Sequence, residues 1–146
     1  MKIRNYTVKV FSRQGIENYS CEEHLDKSIL ISICDDINYP ANVICNSDNN
    51  IQSIQLLEFF DIDEVRPDLK AMSMRDGEII KKFIEDCQSK FEFDTILVNC
   101  EAGQSRSAGV AAAIMKYFNN DDTQIFDNPR YTPNMRCYRI TLKSLY

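Results

Sequence analysis

The sequence predicts an α/β fold, a central, mostly parallel sheet flanked by helices. Three observations carry that expectation. The first half of the chain holds strand-length runs rich in β-branched residues, divided by turn residues. From Ser73 to Gln88 the apolar period changes to that of a helix. A continuous apolar run, Thr95-Ile96-Leu97-Val98, is then followed by Gly103 and an alanine-rich stretch. Strand, tight loop and helix in succession make a βα unit, whose loop lies at the carboxyl edge of the sheet, where open α/β folds bind ligands.

The elements follow in chain order. Lys2 to Phe11 alternates around Ile3, Tyr6, Val8 and Val10, and Ser28 to Cys34 (SILISIC) is a short run ended by Asp35 and Asp36; both are predicted strands. Ala41 to Cys45 and Ile51 to Phe60 are two further candidates, set off by Asp36 to Pro40 and Asn46 to Asn50. Ser73 with Asp76 three residues on is a capping-box-like start. Ile79, Ile80, Phe83, Ile84 and Cys87 then share one helical face, so a helix is expected from about Asp76 to Gln88. Thr95 to Val98 is the kind of run buried on both faces of a sheet. Ser107 to Asn119 (SAGVAAAIMKYFN) is strongly helix-forming. After a polar link from Asn120 to Tyr131, a last helix is expected with Thr132 as cap and Pro133 in its first turn, reaching about Lys143. With no repeat and no long linker, residues 1–146 are expected to form a single domain of ordinary size.

Composition narrows the function classes. The chain is 44% hydrophobic and 27% charged, and no stretch approaches the roughly 20 apolar residues of a membrane span. The N-terminal residues lack the features of a secretory signal, so a cytoplasmic location is expected. A net charge of -5 argues against a nucleic-acid or anionic-membrane partner, and any anion must be bound locally. The six cysteines (Cys21, Cys34, Cys45, Cys87, Cys100 and Cys137) include no C-x-x-C pair, and His24 is the only histidine. Neither a metal site nor a disulfide framework is expected, and most of the thiols should be buried hydrophobes. His24, beside Glu22, Glu23 and Asp26, is read as a surface residue.

Cys100 is the exception, because of what surrounds it. Residues 100 to 106 read C-E-A-G-Q-S-R between the buried strand and the helix. Wrapped around the start of that helix, the backbone N–H groups of Glu101, Ala102, Gly103, Gln104 and Ser105 make a cradle for a dianion, reinforced by the positive end of the helix dipole. Arg106 is poorly placed against that dipole unless an anion sits between them, held by the guanidinium fork. The same field favours negative charge on the Cys100 sulfur, the form in which it attacks. Gly103 supplies the backbone freedom of a tight turn, and the Ser107 hydroxyl is placed to hydrogen-bond the sulfur.

This segment resembles the signature loop of the cysteine-dependent tyrosine and dual-specificity phosphatases, H-C-x5-R followed by Ser or Thr. It is most similar to small bacterial and phage phosphatase-like proteins, in which a C-E-A-G-x-S-R-S loop leads into an alanine-rich helix. Phe59-Phe60-Asp61-Ile62 matches an F-x-D-I segment of that group and Pro133-Asn134 its later P-N motif, so the likeness runs from about residue 28 to residue 143. The resemblance implies hydrolysis of a phosphomonoester on a phosphorylated protein or peptide, with no cofactor. Cys100 would attack phosphorus, Arg106 and the loop amides would hold the equatorial oxygens, and an aspartic acid would protonate the leaving oxygen. Asp61, Asp63 and Asp68, at 39, 37 and 32 residues ahead of Cys100, all qualify for that role; Asp61 is favoured because it directly follows a strand.

The chain departs from the pattern at Asn99, which stands where the family has histidine, although an asparagine side chain still donates to a loop carbonyl. Glu101 and Gln104 stand where a site for polyphosphorylated ligands gains from lysines, so a monophosphate is expected. Pro133-Asn134 is read as a helix start, and Cys87 and Cys137 as core, although a thiol near Cys100 would form a disulfide under oxidation. Two other functions use the same loop: a module that binds phosphate without turning it over, and arsenate reduction. The second requires relay cysteines and a loop near the N-terminus, whereas this one begins at residue 100.

Overall fold

The computed structural model describes residues 5–146. Four strands, β1 (Thr7–Phe11), β2 (Ser28–Cys34), β3 (Ile51–Glu58) and β4 (Thr95–Asn99), form one sheet in the order β1-β4-β2-β3, with every neighbouring pair parallel. The two central strands are the two continuous apolar runs, and every residue of SILISIC and TILVN is buried. Parallel strands covered on both faces need that composition. The edge strands β1 and β3 are only half-buried, in keeping with their alternating sequences. Of the first predicted strand, Thr7–Phe11 is observed, and Lys2, Ile3 and Arg4 lie outside the described residues.

Helices cover both faces. On one lie α2 (Met74–Lys90), α3 (Arg106–Asn119) and α5 (Met135–Leu145), packed over Ile29, Ile31, Ile33, Ile96 and Val98. On the other lies α1 (Arg13–Ser20), whose Ile16 and Tyr19 pack on Leu30 and Leu97. The period of two along β2 and β4 therefore divides the core. A single turn, α4 (Thr123–Phe126), links α3 to α5.

Besides the single turn α4 in the expected polar link, the following elements differ from the sequence expectation. Helix α1 was not expected because RQGIENYS contains a glycine and two buried residues, too little to display a period; the Ser12 hydroxyl accepting from Gly15 N at 3.0 Å starts it. Ala41 to Cys45 forms no strand. Its backbone bonds go to side chains instead, Asn42 N donating to Glu17 and the Ile44 carbonyl accepting from Asn49 at 2.8 Å each, so no ladder forms. The cap of α5 is Asn134, not Thr132, with its Oδ1 accepting from Cys137 N at 3.0 Å. The capping box of α2 is present between Ser73 and Asp76, and the helix begins two residues earlier than expected.

Cys34, Cys87, Cys100 and Cys137 are buried as free thiols, whereas Cys21 and Cys45 are exposed. Among the described residues no helix is long and apolar enough to cross a membrane. Helix α3 meets the start of α5 tightly at Gly109, where an added methyl would fall on the carbonyl oxygen of Asn134 and 3.0 Å from Cys137 Cβ. Gly109→Ala is therefore expected to cost about 1–3 kcal/mol of stability by overpacking, although alanine is the better helix former. Urea unfolding measures it, and a variant as stable as the parent would contradict this close packing.

Candidate active site

β4 ends at Asn99 and α3 begins at Arg106, so the residues between them must reverse direction within one short loop at the carboxyl edge of the sheet. Cys100, at the start of that loop, is 2% exposed. Its Sγ accepts from the Gly103 backbone N–H at 3.3 Å and lies 3.0 Å from the Ser107 hydroxyl oxygen. The loop thus wraps the sulfur, which faces a backbone donor, a hydroxyl and the positive end of a 14-residue helix. Ser105, at the N-cap of α3, makes no side-chain cap bond, so its hydroxyl is spent elsewhere. Helix-start donors without a side-chain cap are what an anion-binding helix terminus presents.

The β1–α1 junction braces this loop from the side. Cys100 N donates to the Phe11 carbonyl at 3.3 Å and Arg13 N to the Glu101 carbonyl at 3.1 Å. Gly103 adopts φ +69°, and an added methyl there would strike the backbone nitrogen of Ser12. Both its conformation and its closeness to Phe11 and Ser12 call for glycine. The Glu101 carboxylate pairs with the Arg13 guanidinium at 3.0 Å. That same guanidinium donates to the carbonyls of Tyr39 and Pro40 at 2.7 Å each. The Glu101 side chain is thus a partner of Arg13 within the fold, while its backbone belongs to the loop. Ala102 and Gln104 complete the turn, Gln104 through its carbonyl, which accepts from Thr132 N at 2.9 Å.

Arg106 is 5% exposed although it is charged. Its Nη1 donates to Asp35 Oδ1 at 2.6 Å and to the Phe59 carbonyl at 2.8 Å. Asp35 follows β2 and Phe59 follows β3, so the arginine of the loop is anchored by the two strands beyond β4.

Of the three aspartates considered for the acid, Asp61 is the one bonded to the loop. Its Oδ1 accepts from the Ser105 hydroxyl at 2.8 Å and from Asn134 Nδ2 at 2.9 Å. Asn134 N also donates to the Ser105 carbonyl at 3.0 Å, and Nδ2 to the Ile62 carbonyl at 3.1 Å. Asn134, read from the sequence as a helix start, is therefore also part of the site. Asp63 lies on the same segment, lining a cleft of about 400 Å³ that opens beside Asp61 and Ser105. Asp68 pairs with Arg66 at 3.1 Å instead. The adjacent Cys137 is held neutral, burial pushing its thiol up to about 12 with Asp61 adding in the same direction.

Asn99, 1% exposed, donates through Nδ2 to the Cys100 carbonyl at 3.4 Å, so it does hold the loop, while its Oδ1 makes no hydrogen bond among the described residues. Beside it across the β2–β4 ladder, the Ser32 hydroxyl is in the same condition. Among the described residues no group of three His, Cys, Asp or Glu side chains is placed to hold a metal ion.

No family model matches the sequence, and no curated protein does. Solved structures do match. Tk-PTP in its active form aligns over 97% of this chain and 92% of its own at 12% identity, with a TM-score of 0.51. PTPMT1 aligns over 94% and 88% at 13% identity, with a TM-score of 0.52, and its complex with PI(5)P gives 0.53. The human tyrosine phosphatase-like serine/threonine/tyrosine-interacting protein aligns over 81% and 76% at 22% identity, with a TM-score of 0.49. The chain shares the overall fold of Tk-PTP and PTPMT1.

Gly103→Ala tests the loop. It would place a side chain at φ +69° against Ser12, at a cost of about 1–3 kcal/mol. The variant is expected to melt lower and to lose stabilisation by inorganic phosphate in a thermal-shift titration. A phosphate response equal to the parent's would show that the turn does not shape an anion site.

Proposed function

We propose that the protein hydrolyses a phosphomonoester carried on a phosphorylated protein or peptide, through a cysteinyl-phosphate intermediate. The observation that supports this most is the geometry around one sulfur. Cys100 Sγ sits inside the loop with Gly103 N–H and Ser107 Oγ directed at it, and Arg106 begins the helix that closes the loop. An acid is tied to the same loop through Ser105.

The chemistry runs in two displacements. Cys100 Sγ attacks phosphorus as the P–O bond to the substrate breaks, and Asp61 gives its proton to the departing oxygen, which would otherwise leave as a poor, anionic leaving group. The loop N–H groups and the Arg106 guanidinium carry the charge on the equatorial oxygens. Asp61, now a carboxylate, takes a proton from water as the water oxygen attacks phosphorus. The S–P bond breaks, the Ser107 hydroxyl donates to the departing thiolate, and inorganic phosphate leaves. Asp61 keeps Oδ2 available for this work because Ser105 and Asn134 both bond to Oδ1.

A protein-borne monoester fits the rim. Tyr39 (70% exposed) and Val65 (77% exposed) stand out from the loops that follow β2 and β3. Glu101 and Gln104 bring no cation for additional phosphates, unlike a site built for a polyphosphorylated ligand. A second reading is favoured by Asn99, whose Oδ1 makes no bond in a position where the resembling family has histidine: a pocket of the same geometry that retains phosphate and turns it over slowly or not at all.

Turnover of p-nitrophenyl phosphate under reducing conditions separates the two. Wild type is expected to release phosphate steadily and Cys100→Ser to release none. Asp61→Asn should lower kcat by about 10²–10⁴ and remove the basic limb of the pH–rate profile, because that limb reports loss of the acid's proton. Asn134→Ala should fall in the same direction by less, since the Ser105 bond to Asp61 survives. Binding of phosphate with no release by the wild type between about pH 5 and 8, a range that covers activated thiols, would establish the second reading; absence of both would end the first and the second together.

A further inference from the structure

The residue with the shortest polar contact to the loop is one that the proposed reaction does not use. Asp35 Oδ1 lies 2.6 Å from Arg106 Nη1, and the Phe59 carbonyl lies 2.8 Å from the same nitrogen. A guanidinium carries five N–H groups in one plane, two of them on each terminal nitrogen. Both hydrogens of Nη1 are therefore committed to protein, to partners on two different strands. Two anchors on one nitrogen fix both the position and the plane of the group. Nε and Nη2 form the remaining edge, the pair of parallel donors suited to two oxygens of a phosphate.

Asp35 is itself held in place. β2 and β4 pair in register, Ser32 opposite Asn99, so the residue that follows Cys34 emerges beside the signature loop. The turn after it is tied down by Asn38 N donating to Asp36 Oδ1 at 2.9 Å, and by Ile37 N donating to Glu58 Oε2 at 2.7 Å. Farther along, the Arg13 guanidinium holds the Tyr39 and Pro40 carbonyls while it pairs with Glu101. The segment from Asp35 to Pro40 is thus bound to the loop at both ends.

We infer that Asp35 is a positioning residue: its bond to Nη1, with that of the Phe59 carbonyl, sets the guanidinium of Arg106 so that its Nε and Nη2 edge faces the bound phosphoryl group. The alternative is that Asp35 serves only as a counter-charge. The two roles predict opposite responses. The Asp35 side chain is 49% exposed, so its charge is partly screened by solvent, whereas Arg106 is buried and keeps its orientation only through direct bonds. This inference rests on the proposed phosphate site, and the experiment separates its failure from that of the site.

Inorganic phosphate binding is measured by thermal shift, which reads only folded protein, and kcat and KM are measured with p-nitrophenyl phosphate, for the wild type and for Asp35→Ala, Asp35→Asn and Asp35→Glu. Asp35→Ala should weaken phosphate binding and raise KM by about tenfold or more, as misplacing a substrate-holding group does. Asp35→Asn, which keeps an acceptor oxygen at the same place without the charge, should restore both to within about threefold of the wild type. Asp35→Glu keeps the charge and shifts the oxygen, and should rank below Asp35→Asn. Should Asp35→Ala not fold, the comparison of Asn with Glu decides alone. Any order other than Asn ahead of Glu, or phosphate affinity in Asp35→Ala equal to or tighter than the wild type's, overturns the assignment. No phosphate response in the wild type would overturn the site itself, and the assignment with it.

Discussion

Everything at the carboxyl edge depends on the placement of β4 between β1 and β2. A parallel strand in the middle of a sheet has no freedom of register, because hydrogen bonds on both sides and packing on both faces fix it together. Asn99 therefore ends at a defined height, opposite Phe11 on one side and Ser32 on the other. The seven residues from Cys100 to Arg106 inherit that definition. Their turn is braced by Phe11 and Arg13 from β1 and α1, and by Asp35 and Phe59 from β2 and β3. The loop has little internal structure of its own and takes its shape from four neighbours.

That dependence changes how the charges are to be understood. A buried arginine with no partner would be strongly unfavourable, and a buried pair repays its desolvation only where geometry is good. Here Arg106 has two oxygens, Glu101 has a guanidinium and Asp61 has two donors, so each of these side chains around the sulfur has its own partner. The consequence is a site whose side chains are set before any ligand arrives. Cys137, close by but held neutral in the α3–α5 interface, packs as a hydrophobe within this arrangement.

The local part of this arrangement is written in the sequence. The apolar run, the glycine and the alanine-rich helix lie within about two dozen residues, and short-range rules suffice to place Cys100, Gly103, Arg106 and Ser107 around one turn. Asp61 was reachable only as one of three, since a strand end tells which residues follow it and not where they point. Asp35, Arg13 and Asn134 were beyond reach for a different reason. Their partners are 71, 88 and 73 residues away, and no period or cap encodes a contact of that separation. The strand expected at Ala41 to Cys45 failed for a related cause. Its apolar content suits a sheet, but side chains of α1 and of the next turn satisfied its backbone.

Asn134 caps α5, touches Ser105 and holds Asp61, and its position late in the chain has a consequence for assembly. The sheet can close once β4 has been made, and the sulfur then already lies at its edge. Asp61, made earlier, acquires its second donor only when the chain has been synthesised through residue 134 and the last helix has packed against α3 at Gly109. The bonds around Asp61 and Ser105 are therefore complete only with the C-terminal helix in place, so this edge of the sheet draws on residues from the start of the chain almost to its end.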